Sequence, residues 1–171
     1  MYRIFGTIFI VIINLIMQST LAHYMAIGGI TMNIIIIMVV SFAMLRGKIE
    51  GAIIGFSIGI LMDIFFGDVI GYFALLYMYI GFFCGYIDKN LYKDNIMIPI
   101  MVITAADLVL NLSIYMFSYM LKGKTGFFEY FLTISLPETV YTCFGAVFLY
   151  KLYQLVNSVI EDLDRNREEK A

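Results

Sequence analysis

The sequence is poor in the residue types from which most catalytic and metal-binding sites are built. Its 171 residues include no tryptophan, one histidine and two cysteines. Cys84 and Cys143 lie far apart in apolar runs, outside any Cys-x-x-Cys or Cys/His cluster, so we interpret both as small buried hydrophobic residues. A phosphate-binding glycine loop, a dinucleotide-binding glycine pattern, a zinc-protease motif and a nucleophile elbow are likewise missing. The sequence therefore predicts a protein that is not an enzyme and that binds no metal or cofactor.

Charged residues are also scarce, at 14% of the chain, whereas 62% of the residues are hydrophobic. A typical soluble domain is nearer half apolar and a quarter charged. A soluble fold of this length cannot bury so much apolar surface, whereas lipid solvates it. The composition predicts an all-α integral membrane protein, in contact with membrane lipid. Since the chain has no extended basic patch, we do not expect nucleic acid as a partner.

Six apolar segments approach the roughly 17–25 residues that a membrane span needs. They cover residues 4–22, 30–45, 51–66, 69–87, 96–121 and 136–155. We predict a six-transmembrane-helix bundle over residues 1–155, followed by a short charged cytoplasmic tail over residues 156–171. The second and third segments are short, which implies a thinned bilayer or tight packing. Cleavage of the first segment as a signal peptide is disfavoured, because its apolar run exceeds a usual signal core and holds Asn14 and Gln18.

The distribution of basic residues predicts the orientation of the spans. Lysine and arginine concentrate in short cytoplasmic loops. With six spans and a cytoplasmic N-terminus, nine of the eleven basic residues fall on the cytoplasmic side and two, Lys122 and Lys124, fall outside. We therefore expect both chain termini in the cytoplasm.

A glycine period of four residues distinguishes the third span. Gly51, Gly55 and Gly59 share one helix face, which ends at Asp63. Small residues at this spacing allow another helix to approach at backbone distance. The stripe predicts a helix-packing face, formed either within this bundle or against a partner protein. Asp63 either caps the following turn or contacts water, or it forms an outward-facing site together with Asp68.

The fifth span carries a polar stripe. Its polar residues recur every three or four positions and are Thr104, Asp107, Asn111, Tyr115 and Ser118. A charge at the bilayer centre costs at least ~2.5–3.5 kcal/mol by insertion scales, so the stripe should face other helices or a cavity. We expect Asp107 to be protonated, hydrogen-bonded to a residue such as Asn14, Gln18 or Asn33, or paired with another protein. Asp107 and Asn111 thus form a candidate intramembrane polar site.

The last span is predicted to begin at Ser135. This residue can cap a helix, Pro137 suits a first turn, and Glu138 can reach back to the helix start. On this interpretation Glu138 lies near the outer membrane interface, and residues 126–131 form a short aromatic interfacial segment.

Several of these motifs together resemble the MreD family of rod shape-determining membrane proteins, over nearly the whole length. The matching motifs are Gln18-Ser19-Thr20-Leu21, Gly28-Gly29-Ile30, Arg46-Gly47, Gly51-x3-Gly55-Phe56-x2-Gly59-x3-Asp63, the following Gly67 and Gly71, and Pro137. One departure is Met32-Asn33, where many family members have Pro-Asp. Asn33 can retain the hydrogen bonding of the missing aspartate.

The resemblance implies a noncatalytic role in maintaining rod shape during lateral wall growth in the bacterial plasma (inner) membrane. It implies MreC, the actin-like MreB and the elongation wall-synthesis enzymes as partners. It also implies a fold similar to the substrate-binding subunits of vitamin transporters. A second hypothesis is therefore a transporter subunit that captures a small molecule. Such subunits commonly show small residues at spacing four in the first span, where this chain has Gly6 and Ile10, so the scaffold is favoured. A site for a lipid-linked precursor near Asp63 is a third hypothesis.

Overall fold

The structure, a computed structural model, is helical and describes residues 2–24, 29–67, 69–87, 95–119 and 126–168. The helices are α1 (Tyr2–Tyr24), α2 (Ile34–Arg46), α3 (Lys48–Phe66), α4 (Tyr72–Cys84), α5 (Met97–Ile114), α6 (Phe127–Tyr130) and α7 (Leu136–Glu168). A π-helical turn over Tyr115–Tyr119 extends α5, and a second over Phe131–Ser135 joins α6 to α7. The described chain thus forms six helical segments, which confirms the predicted all-α fold.

Three helical stretches are long and apolar enough to cross a membrane, by length and composition. They are Lys48–Phe66, Met97–Phe117 and Phe127–Ile160. The apolar stretch Gly6–Thr20 of α1 is shorter, and α2 and α4 have 13 residues each. Thirteen helical residues cover roughly 20 Å, less than the ~30 Å of a bilayer's hydrocarbon core. The third segment is longer than predicted, because α3 begins at Lys48 rather than at Gly51.

Helix α2 lies at the centre of the bundle. Every residue from Ile34 to Met44 is at most 1% exposed, and α2 contacts α1, α3, α4, α5 and α7. The reason is visible in its sequence, which is apolar on all sides apart from Ser41, and such a helix belongs in an interior. Ser41 satisfies its hydroxyl by donating to the Ile37 carbonyl at 2.5 Å. Because protein surrounds α2, its short length does not leave its ends in contact with hydrocarbon.

The N-terminus of α2 is capped by two side chains. Asn33 Oδ1 accepts from the Ile36 amide at 3.1 Å, and Gln18 Oε1 from α1 accepts from the Ile34 amide at 2.8 Å. These bonds satisfy amides that have no partner within the helix. Gln18 therefore joins α1 to the start of α2.

The outer helix faces are apolar. Exposed residues of α1 are Ile8, Phe9, Ile12, Ile13 and Ile16, and those of α3 include Ile49, Ile53, Phe56 and Ile64. In water these stripes would be large exposed apolar patches, whereas in a bilayer they are the lipid-facing surface. This surface fits the membrane location predicted from composition.

The start of the last helix differs from the sequence-based prediction. The chain does not start a new helix at Ser135, because the helix already runs from Phe127 through the π turn into α7. Pro137 would normally clash with the carbonyl of the preceding turn, and the wider π turn before it relieves that clash. Residues 127–131 are therefore helical, and their predicted position at the membrane interface stays a prediction. At its other end α7 continues to Glu168, and Ile160 is buried.

Candidate functional site

The predicted glycine face of α3 lies against α4. A β-carbon built on Gly51 would lie 2.7 Å from the Gly81 carbonyl oxygen, and one on Gly55 would lie 2.2 Å from the Tyr77 carbonyl oxygen. On Gly59 it would lie 2.5 Å from the Ala74 Cα. At Gly55 and Gly59 the neighbouring atoms are backbone atoms of α4, whereas at Gly51 they also include the Cβ and Cα of Ala43 in α2. Helices α3 and α4 thus touch along their main chains. Within this chain, the stripe is the contact surface of an α3–α4 hairpin.

Asp63 closes this hairpin by capping α4. Its carboxylate accepts from the backbone amides of Gly71 at 2.9 Å, Phe73 at 2.8 Å and Ala74 at 3.0 Å. Gly71 has a φ of 100°, a left-handed conformation that favours glycine. The side chain of Asp63 is 2% exposed. The carboxylate thus satisfies the unpaired amides of the first turn of α4 and its charge complements the positive end of the helix. Asp68, its predicted companion in an outward-facing site, lies outside the described residues.

Asp107 is fully buried between α5 and α7. Its Oδ2 accepts from the Thr139 hydroxyl at 2.8 Å and faces the Asn111 amide at 3.5 Å. Asn111 also donates to the Asp107 carbonyl at 3.2 Å. The structure brings together both residues of the predicted polar site and adds Thr139, which sequence spacing did not reveal. A signal was present in the sequence, where Ser135, at the end of the π turn, and Thr139 and Thr142 of α7 recur at helical spacing.

The hydrogen-bond partners proposed for Asp107 from the first span lie elsewhere. Asn14 receives a hydrogen bond from the Tyr153 hydroxyl, and its amide donates to the Ile10 carbonyl at 2.8 Å. Gln18 instead contacts the start of α2. Its amide nitrogen donates to the Met32 carbonyl at 3.3 Å, and its amide oxygen accepts from the Ile34 backbone amide. The partners of Asp107 come instead from its own helix and from α7.

Further polar groups surround Asp107. Glu138, which was expected near the outer interface, is half-buried and lies beside Asp107 and Asn111. The Tyr77 hydroxyl of α4 lies beside the Asn33 side chain and interacts electrostatically with both carboxyl groups. The backbone amide of Asn33 donates to the Thr142 hydroxyl at 3.0 Å. This polar cluster, defined as Asn33, Tyr77, Asp107, Asn111, Ser135, Glu138, Thr139 and Thr142, joins α2, α4, α5 and α7 around the start of α2.

A second polar contact lies at the opposite end of α2. Arg46 donates from Nε to Asn157 Oδ1 and from Nη1 to Thr7 Oγ1, both at 2.6 Å. Its guanidinium also lies 4.7 Å from the centre of the Phe42 ring and 3.9 Å from a Glu50 carboxylate oxygen. The side chain is 1% exposed. Arg46 therefore joins α1, α2, α3 and α7 inside the bundle.

The contacts of Arg46 also place the start of α1, the α2–α3 connection and the later part of α7 at one end of the bundle. The predicted six-span topology requires this arrangement. The basic residues of two connections, at 88–94 and 120–125, lie outside the described residues. The side of the membrane on which the termini lie therefore stays a prediction.

The described residues contain no group of three His, Cys, Asp or Glu side chains that could hold a metal ion. Cys84 and Cys143 are half-buried free cysteines. The polar groups of the interior instead join one helix to another. Together with the apolar outer faces, they define a polytopic α-helical membrane protein with a hydrogen-bonded interior.

Comparison with known proteins gives the family. The model of rod shape-determining protein MreD matches residues 1–159 of the 171-residue chain. The chain therefore belongs to the MreD family, as its sequence motifs indicated. This family is part of the rod-shape system that also contains MreB and MreC. Neither the curated proteins nor the solved structures include a match. The expected likeness to vitamin-transporter subunits accordingly stays a prediction.

Proposed function

We propose that this protein is the membrane subunit of the bacterial cell-elongation complex and that it scaffolds MreC, MreB and the enzymes of lateral peptidoglycan synthesis. The observation that carries the proposal is the family match over residues 1–159, which covers all six helical segments up to the last part of α7. On this proposal the chain acts by binding partners and catalyses no reaction. It lies in the inner membrane with both termini in the cytoplasm.

Two structural features support a scaffold. Backbone contact along Gly51, Gly55 and Gly59 holds α3 and α4 together as one unit. The Arg46 side chain joins four helices by polar contacts at one end of the bundle, and the polar cluster joins four helices at the other end. A bundle fixed at both ends presents its outer helix faces in constant positions. Such preorganisation favours binding, because less conformational entropy is lost when a partner docks.

The predicted site residues have different roles in this proposal. The glycine face and Asp63 fix the α3–α4 hairpin, whose outer residues, such as Ile53 and Phe56, are available to lipid or to a partner helix. Asp107 and Asn111 serve the activity of the complex in addition to packing. An intramembrane ionisable group is costly to retain, which favours a functional role.

The test is depletion of the protein in its own host, followed by complementation. Depleted cells are expected to widen or round while they continue to divide, and the wild-type chain should restore rods. Asp107→Ala should accumulate in the membrane yet fail to restore rods, whereas the control Glu129→Ala, at an exposed position, should restore them. Loss of MreC from affinity-purified complexes would accompany a true scaffold defect. Unchanged cell shape on depletion, together with lost uptake of a vitamin, would instead support the transporter alternative.

A further inference from the structure

The polar cluster contains two carboxyl groups in close proximity. Asp107 of α5 is 0% exposed and accepts a hydrogen bond from Thr139, the residue that follows Glu138 on α7, and the two carboxyl groups interact electrostatically. The other groups that face the pair are the Asn111 amide, the Thr139 hydroxyl and the Tyr77 hydroxyl. The amide and the two hydroxyl groups are uncharged hydrogen-bond donors. The pair therefore receives no positive charge from the described side chains around it.

The described basic side chains are too distant to compensate the two carboxylates. Arg46 ends α2 and Lys48 begins α3, so both lie at the opposite end of the 13-residue α2 from the polar cluster, roughly 20 Å away. Lys151 follows Glu138 by a similar distance along α7 and is exposed. Two adjacent carboxylates in a low-dielectric interior are strongly unfavourable unless a cation or a proton neutralises them.

The unpaired oxygens of the cluster indicate where such a cation binds. Among the described residues, no group hydrogen-bonds the buried Asp107 Oδ1 or the buried Ser135 Oγ. Ser135 precedes Glu138 by three residues and Thr139 by four, so these three side chains share one face of the helix. It also ends the π turn over Phe131–Ser135, a distortion that is frequent at functional sites in helices. The Ser135 hydroxyl therefore lies on the helix face that carries Thr139, the hydrogen-bond donor to Asp107.

The size and chemistry of these groups limit the occupant. Since Asp107 is 0% exposed, a lysine or arginine of another protein cannot reach it without opening the bundle. All available ligand atoms are carboxylate or hydroxyl oxygens, which suit hard cations. Two carboxyl groups and one hydroxyl supply fewer oxygens than the roughly six to eight that Ca²⁺ takes or the six that octahedral Mg²⁺ requires, which favours a monovalent ion. A monovalent ion leaves the pair with one net negative charge. Half-buried Glu138 is the more accessible of the two carboxyl groups.

We propose that Asp107 and Glu138 together bind one small monovalent cation, Na⁺ or a proton, on their carboxylate oxygens with the hydroxyl of Ser135 beside them. The bound cation bridges α5 and α7 within the membrane. The two ions share the same site chemistry, and the experiment below distinguishes them.

The experiment uses the purified full-length protein in detergent at neutral pH. Thermal unfolding is followed by circular dichroism in NaCl and in choline chloride of equal ionic strength. If Na⁺ is the ligand, NaCl should raise Tm in a saturable way, by about 5–10 °C at one hundred times Kd for a chain of this size. Asp107→Asn and Glu138→Gln should each abolish this shift. Glu129→Gln, which alters an exposed carboxyl on the same continuous helix, should retain it.

Infrared spectroscopy of the same samples tests the proton. If a proton is the ligand, Tm should be equal in the two salts, and the spectrum should show a protonated carboxyl that disappears in both Asp107→Asn and Glu138→Gln but persists in Glu129→Gln. Since the wild-type measurements need no variant, a variant that fails to fold does not block the test. Equal Tm in both salts without a protonated carboxyl would overturn the proposal, as would a Na⁺ shift that survives in both amide variants.

Discussion

Substitution of Gly55 by alanine tests the backbone contact between α3 and α4. The added β-carbon would lie 2.2 Å from the Tyr77 carbonyl oxygen and 2.6 Å from the Tyr77 carbonyl carbon. Non-bonded heavy atoms prefer about 3.5–4.0 Å, so α4 must retreat by roughly 1 Å or more. Neither atom belongs to a flexible side chain, and the contact can be relieved only by moving a whole helix.

The expected loss of stability is the balance of two effects. Overpacking of this kind typically costs about 1–3 kcal/mol. Alanine is the better helix former by about 1 kcal/mol, which offsets part of that cost. Because the retreat of α4 also opens the contacts at Gly51 and Gly59, the net loss should lie near 1–2 kcal/mol. For a chain of this length, that corresponds to a Tm lower by about 2–8 °C.

Gly6→Ala is the matched control for this prediction. It makes the same chemical change in a helix, but its β-carbon would meet only the tip of the Ile160 side chain, Cδ1, at 3.1 Å. That side chain can rotate away, so Gly6→Ala should be neutral or slightly stabilising. The assay is thermal unfolding of both variants in the same detergent at one heating rate. A Gly55→Ala protein as stable as Gly6→Ala would refute the inferred backbone contact.

Two further substitutions test the helix cap formed by Asp63 and the buried contacts of Arg46. Asp63→Ala leaves the amides of Gly71, Phe73 and Ala74 without the carboxylate and should lower the free energy of unfolding by about 2 kcal/mol, at the upper end for a helix cap. The control Glu129→Ala, at an exposed position, should change stability little. Equal Tm values for the two variants would contradict the capping role. Arg46→Ala should lower the free energy of unfolding by about 3 kcal/mol, because it removes two buried charge-assisted hydrogen bonds and leaves Asn157 and Thr7 without that donor. The control Lys151→Ala, at an exposed position, should change Tm by no more than about one or two degrees. A small effect of Arg46→Ala would show that water replaces the guanidinium.

Much of the fold could be predicted from the sequence, because hydropathy and small-residue spacing act locally. The uniformly apolar run from Ile34 to Met44 predicts a buried helix, and the period of four glycines predicts close helix contact. Whether that contact was internal depended on α4. Its Ala74, Tyr77 and Gly81 are spaced by three and four positions and share one helix face, but this spacing does not reveal which helix the face meets. The identity of the partner helix therefore required the structure.

The polar contacts were harder to predict, because they join residues distant in sequence. Thr139 lies 32 positions from Asp107, and Asn157 lies 111 positions from Arg46. Without an alignment of homologues, sequence spacing identifies which face a polar residue occupies but not which helix that face meets. The start of the last helix was hard to predict for a different reason, which is the position of Pro137. Its usual position is a helix start, and the π turn that accommodates it inside a continuous helix has no reliable sequence signal.

The burial of α2 has a consequence for the biogenesis of this protein. A helix of 13 residues is shorter than the hydrocarbon core, and in the folded bundle its side chains face protein on every side. It cannot hold its final position in the bilayer until α3, α4, α5 and α7, all synthesised after it, have assembled around it. Membrane insertion and folding of this chain are therefore coupled steps. A chain truncated before α7 should leave α2 exposed to lipid and to membrane proteases. Exposure of α2 therefore allows cellular quality control to recognise an incompletely assembled bundle.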